Sequence, residues 1–237
     1  MTSGSSDGIL ELLRCGDMEV LGLLPYASNA TLLAHVRSGD DEALAVYKPR
    51  RGERPLWDFP DGTLCLRELA AWVVDQALGW DLVAPTVLRE GPAGFGAVQL
   101  WVDENEEADV RDLYRTHPDD LARVAVFDVV VNNADRKAGH LVVDAAGKLW
   151  SVDHGLCFAS EPKLRTVIWA FEGESINAAY LADLQALSGS AETFGALEGL
   201  LSAGELAALR ARIDTILRTK RYPSPAAGRR HVPWPPW

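Results

Sequence analysis

The hydrophobic pattern changes its period once along the chain, near residue 103, and that change restricts the fold more than any other feature. Before it, short apolar runs alternate with turn residues. They are "MEVLGLLPY", then "ATLLAHV" and "EALAVYK" about the turn "RSGDD", then "TVLRE" and "GAVQLWVDE" about "GPAGFG". Runs of this length bounded by Gly, Asp and Pro are strand signals. One long helix interrupts them, because Leu64, Leu66, Leu69, Ala70, Val73, Val74 and Leu78 form a stripe of helical period. Asp61 or Thr63 is its expected cap and Gly79 its expected stop. A short helix is expected in "DGILELLRCGD", with Asp7 as its cap. Beyond the acidic crossover "DENEEAD" the spacing turns helical in "VRDLYRTH", "DDLARVAVFDVVVNNA" and "AGELAALRARIDTILRTK", with one hairpin in "HLVVDAAGKLWSVD". The pattern predicts an α+β chain: a β-rich N-terminal lobe over 1–103 and a mainly helical C-terminal lobe over 104–220. A Pro/Trp-rich tail over 221–237 cannot be regular helix.

The formal net charge of −11 makes the chain a poor non-specific partner for nucleic acid or an anionic membrane. No apolar run approaches the length of a membrane span. Cys15, Cys65 and Cys157 are far apart and odd in number, which disfavours a disulfide framework or a thiolate zinc site and predicts a reducing, cytoplasmic setting.

The chemistry-bearing residues fall into two groups. A buried helix running into "NNADRKAGHL", then a hairpin, then "VDHG" brings Asp135 and Asp153 onto neighbouring loops. Phosphoryl transfer needs two such carboxylates, one to orient the attacking hydroxyl and one to hold a divalent metal against nucleotide phosphates. Arg136 beside Asp135 can orient it or neutralise phosphate charge. Two ordinary surface turns would also fit this stretch taken alone. In the first half, "AVYKP" ends a strand on Lys48 and "RELAAWVV" opens a helix with Glu68. A strand Lys, a helix Glu, a hinge-like strand, a loop Asp and a turn Asp, in that order, are more specific than any one of them.

On these residues, from "VYKP" through "RELAAWVV" to "NNADR" and "VDHG", the chain resembles the phosphatidylinositol 3-/4-kinase-like superfamily. That superfamily includes the HipA-type kinases and has a two-lobed protein-kinase-like architecture. More narrowly, "KPRRGERPLWDFPDGTL", "VFDVVVNNADRK" and "VDHGLCF" resemble an actinobacterial family of this type. The resemblance implies ATP with Mg²⁺ or Mn²⁺ but names no acceptor; the acidity of the chain and the lack of a membrane-binding signature disfavour a lipid, which leaves a protein hydroxyl or a small cytosolic alcohol. It implies that Lys48 contacts the nucleotide phosphates and Glu68 pairs with it. Ser28 and Asn29 of "YASNATLL" would cover the phosphates, and Gln99, Leu100, Trp101 and Val102 would form the hinge beside adenine. Asp135 would be the catalytic Asp, braced by Asn133, and Asp153 the metal-binding Asp.

Two departures stand out. The superfamily loop usually runs D-R-H-x-x-N, whereas this chain reads "DRKAGH", so Lys137 replaces the His and His140 the metal-binding Asn. Imidazole is a softer ligand than an amide oxygen and favours Mn²⁺ over Mg²⁺. The alternatives to a kinase are therefore a nucleotide-binding pseudokinase that regulates a partner, and a metal-dependent phosphohydrolase built on His140, Asp153 and His154. Two segments carry no fixed role. "GERPLWDFPDGT" either folds over the nucleotide or substrate or packs as a loop anchored by Trp57, and in "EPKLRTVIWAF" Lys163 and Arg165 either receive an anionic substrate or are solvated.

Overall fold

A computed structural model describes residues 6–25, 29–225, 227–228 and 230–237. Helix α1 (Ser6–Cys15) leads into strands β1 (Asp17–Leu23), β2 (Leu32–Ser38) and β3 (Asp41–Pro49). After helix α2 (Leu64–Leu78) come β4 (Thr86–Gly91) and β5 (Gly94–Leu100). The five strands form one antiparallel sheet in the order β1-β2-β3-β5-β4. Asp7 lies in the first turn of α1 rather than capping it. One face of the sheet packs with α1 through Leu13, Val36, Tyr47 and Val98. Lys48 pairs with Ala97 on β5, and a side chain on neighbouring Gly96 would strike Lys48 O and the Pro49 Cα, so only glycine lets the two strands pass here.

The second half is helical. Short α3 (Leu113–Thr116) and buried α4 (Pro118–Val131) precede a hairpin of β6 (Leu141–Val143) and β7 (Leu149–Ser151). Helices α5 (Ala178–Gly189), α6 (Ala191–Leu197) and α7 (Ala203–Thr219) follow. Leu121, Val124, Phe127 and Val130 of α4 share one core with Leu184 of α5, Leu197 of α6 and Leu209 and Ile213 of α7. Ala70, Val74 and Leu78 of α2 belong to that same core. The fold is α+β, a sheet-rich N-terminal region followed by a helical C-terminal part.

Two expectations are corrected. Thr63 occupies the N-cap position of α2, but its side chain makes no cap bond; the carboxylate of Glu53 accepts the N–H groups of Leu64 at 3.1 Å and Cys65 at 2.8 Å instead. A sequence motif cannot reveal a cap delivered from a loop eleven residues upstream. Trp57 does not anchor the preceding loop, since it is 93% exposed; Phe59 is the buried residue and Lys163 ties the loop down through Asp58 at 3.1 Å. Gly79 ends α2 in the left-handed conformation, as its position predicts.

Candidate active site

A cleft of about 970 Å³ separates the sheet from the helical part. Lys48, Glu68, Asp135 and Asp153 all line it. Lys48 projects from the end of β3, and its ammonium bonds Glu68 Oε1 at 2.5 Å and Asp153 Oδ1 at 3.0 Å. Glu68 turns its other oxygen to the backbone N–H of His154 at 3.0 Å, so one carboxylate links α2 to the turn that carries Asp153. Asp153 has φ 60°, a conformation a non-glycine residue adopts only where its surroundings impose it.

Electrostatics follow from this geometry. Lys48 is desolvated, but Asp153 and Glu68 outweigh that and hold it protonated, above its ordinary range. Lys48 likewise keeps Asp153 ionised, well below the usual carboxylate range, against the opposing effect of burial. Burial pushes Glu68 upward and Lys48 draws it back. Burial also raises Asp135, and the Lys137 ammonium 2.8 Å from its Oδ2 opposes this. His140 lies 3.5 Å from Asp153 Oδ2, and burial lowers its pKa to about 4, leaving a neutral imidazole at physiological pH.

The loop that carries Asp135 is built from buried polar residues. Asn132 ends α4 at φ 53° and donates to the carbonyls of Ala159 at 2.8 Å and Glu161 at 2.7 Å. Asn133 accepts the Asp135 N–H at 2.9 Å and donates to Asp128 at 3.1 Å. Arg136 corrects the sequence reading. Its side chain neither reaches Asp135 nor lines the cleft; it is fully buried on Asp128 at 3.1 Å, on the carbonyls of Val152 and His140 at 2.7 and 3.3 Å, and beside His154 Nε2 at 2.9 Å. Arg136 thus braces the loop that presents Asp135. His154 is also fully buried and turned inward, accepting from Arg136 and contacting Ser151 at 3.0 Å. That removes it from the metal set of the phosphohydrolase reading, and the described residues contain no cluster of three His, Cys, Asp or Glu that could hold a metal.

Gln99, Leu100, Trp101 and Val102 line the cleft on the sheet side. Gln99 is fixed by its side-chain bond to Thr86 at 2.8 Å, while the N–H groups of Leu100 and Trp101 donate to Pro85 and Leu44 at 2.9 Å each. Asn29 lines the cleft and accepts the Arg54 N–H at 2.9 Å. Ser28 lies outside the described residues. Lys137, which the sequence places at the loop's His position without a role, lines the cleft, and its two-residue spacing from Asp135 in an extended loop is the signal for that. The tail was illegible: the Ala138 N–H donates to Pro236 O at 2.8 Å, and Trp234, Pro235 and Trp237 line the mouth of the cleft.

Comparison with known proteins gives the lineage. Residues 93–200 match the family model described as phosphatidylinositol 3- and 4-kinase. Protein Rv2133c of Mycobacterium tuberculosis is 42% identical over 94% of this chain and 94% of its own length. The chain belongs to the same family as that mycobacterial protein, and its segment 93–200 is similar to phosphatidylinositol 3- and 4-kinases. Phosphatidylinositol 4-kinase gamma 4 of Oryza sativa subsp. japonica is 26% identical over 71% of this chain, and the match spans only 34% of the rice protein. Among solved structures, the Golgi casein kinase with Mn and ADP bound superposes with a TM-score of 0.63 over 90% of this chain and 75% of that one, at 13% identity. The family model begins after Lys48 and Glu68, so for those two residues the observed geometry supplies what the model does not.

The site suits a metal that brings its own phosphate oxygens and water. Asp153 and neutral His140 offer two ligands, which fits Mg²⁺ or Mn²⁺ on a nucleotide and does not fit an all-protein cage.

Proposed function

We propose that this chain is an ATP-dependent phosphotransferase whose acceptor is a protein hydroxyl or a small alcohol. In this reading residues 1–103 form the nucleotide-side lobe, 104–220 the catalytic lobe, and 221–237 a tail across the cleft mouth. The observation that carries it is the meeting of Lys48 with Glu68 at 2.5 Å and Asp153 at 3.0 Å in a cleft that Asp135 also faces. Glu68 fixes the Lys48 ammonium for nucleotide phosphate oxygens, and Asn29 covers the phosphates from the sheet side. With the Leu100 and Trp101 N–H groups engaged, Val102 supplies the hinge donor to the base.

Asp135 receives the acceptor's hydroxyl proton as the new O–P bond forms, the bond between the β- and γ-phosphates breaks, and ADP leaves. Its raised pKa favours that proton transfer. Lys137 neutralises charge on the phosphoryl group in flight. A metal bound by Asp153 and His140 would offset the charge of the phosphates. The test is transfer of radiolabelled γ-phosphate with Mg²⁺ and with Mn²⁺ to the protein itself, to added protein, to small alcohols and to phosphatidylinositol vesicles. Asp135→Asn should keep nucleotide binding and lose transfer by roughly two to four orders of magnitude; equal activity in both proteins would sink the assignment.

A pseudokinase that binds nucleotide without transfer is the second reading, and one contact favours it: the Asp135 carboxylate is already paired with Lys137 at 2.8 Å. Tight ATP binding with no transfer or hydrolysis under either metal would establish it.

A further inference from the structure

A second cavity of about 960 Å³ lies on the other side of the Asp135 loop, between α7 and the segment after Asp153, and it shares no lining residue with the nucleotide cleft. Arg165, Arg212, Arg221 and Arg230 all line it. In a chain of net charge −11, none of these four forms a salt bridge among the described residues, although Asp135 acts on Arg165 and Glu205 on Arg212 from further off. Glu161, at the exposed rim, is the one acidic residue in the described lining.

Arg212 makes the case sharper than surface charge would. Its Nε donates to Val130 O at 2.8 Å and its Nη1 to Ala159 O at 3.3 Å, while its Nη2 is buried without a hydrogen-bond partner. Burial lowers its pKa to about 10, still far above physiological pH, so the group stays charged. A guanidinium with one buried, idle donor and no salt bridge is costly, and native proteins retain few such groups. Apolar and aromatic side chains share the wall with polar ones such as Asn132, Thr215 and Thr219: Val129 from α4, Ala208 and Ile216 from α7, and Trp169 and Tyr222. A few charged groups set in an apolar cavity of this size characterise a small-ligand site.

We propose that this cavity binds a small organic anion, a phosphate, sulfonate or carboxylate head on an apolar body. The head is drawn by the Arg212, Arg165 and Arg230 guanidinium groups, and the body lies on Ile216, Trp169 and Tyr222. The proposal does not rest on the phosphotransferase reading, because no residue of the nucleotide cleft takes part.

The probe is n-octyl phosphate, titrated calorimetrically into the full chain, with inorganic phosphate and 1-octanol as the two half-ligands. Octyl phosphate should bind more tightly than either half. Arg212→Met should weaken it about 10-fold or more, the scale of one charge-assisted hydrogen bond. Arg212 also holds two backbone carbonyls, so Arg230→Gln provides the independent variant: it is exposed, its side chain makes no hydrogen bond among the described residues, and it should weaken binding several-fold without changing the melting temperature. Co-sedimentation with vesicles of phosphatidic acid in phosphatidylcholine separates the sources. Retention that octyl phosphate competes away assigns the anion to a lipid headgroup, and octyl phosphate binding without retention assigns it to a soluble metabolite. Octanol binding as tightly as octyl phosphate, or unchanged affinity in both variants, overturns the proposal.

Discussion

Replacing Arg136 by Met tests whether the loop that presents Asp135 is held by one buried ion pair. Arg136 and Asp128 are both wholly inaccessible, and the guanidinium also serves the carbonyls of Val152 and His140. Removing one member of a buried pair costs about 3–5 kcal/mol, because the other charge is left in a medium that cannot solvate it. Burial already lifts Asp128 above the ordinary carboxylate range despite Arg136, so the orphaned carboxylate can take up a proton, which puts the electrostatic part near the low end, about 3 kcal/mol. The two freed carbonyls add about 1 kcal/mol or more between them. The sum, about 4 kcal/mol, is a large part of the roughly 5–15 kcal/mol that stabilises a folded domain. With a urea dependence of about 2 kcal/mol per molar, the unfolding midpoint should fall by about 2 M. Tryptophan fluorescence reads the transition, since the chain has eight tryptophans. Asp128→Leu combined with Arg136→Met removes both charges and should recover part of the loss. A single variant within about 1 kcal/mol of wild type would refute the reasoning.

Three other outcomes follow from the geometry. Lys48→Met should weaken ATP binding about 10-fold or more and Glu68→Gln by less, because Glu68 acts through Lys48; unchanged calorimetric affinity in both would detach the pair from nucleotide. His140→Asn should move metal preference from Mn²⁺ toward Mg²⁺ in transfer or binding assays, and an unaltered preference removes His140 from the metal. Asp75 accepts the N–H groups of Leu82 and Val83 at 3.0 Å, and burial raises its pKa from 3.8 to about 6. Its folded pKa exceeds the unfolded one, so its contribution is fully present below about pH 4 and is lost as pH rises through about 6, up to about 3 kcal/mol. Asp75→Asn should therefore gain stability relative to wild type between pH 4 and pH 7.5 in urea unfolding, and parallel pH profiles would contradict this.

What the sequence disclosed depended on whether the signal was local. The strands and α2 were legible because each writes its own period into consecutive residues. Lys48, Glu68, Asp135 and Asp153 were legible as an ordered set, and the fold brings all four to one cleft. Arg136 was misread because its partner Asp128 lies eight residues back on a helix whose buried face reads as uniformly apolar. Its burial is decided by tertiary packing, and a charged residue beside a candidate catalytic Asp looks the same in sequence whether it faces the cleft or the core. The cap of α2 by Glu53, the inward turn of His154 and the course of the tail toward the cleft are contacts between separate segments, and no periodicity records them.

Helix α2 lies between sheet strands in the chain, yet it is riveted to the helical half. Arg67 donates to Cys157 O at 2.7 Å and to Glu205 of α7 at 2.5 Å, both buried, and Asp183 of α5 holds Trp80 just beyond its end at 2.8 Å. A regulator that works by swinging this helix outward, the usual brake on kinase-like folds, would have to break the buried Arg67 bonds together. Glu68, bonded to the turn that carries Asp153, shares that anchorage, and Lys48 reaches both carboxylates from the sheet, so the helix and the turn form one fixed wall against which the sheet sets its lysine.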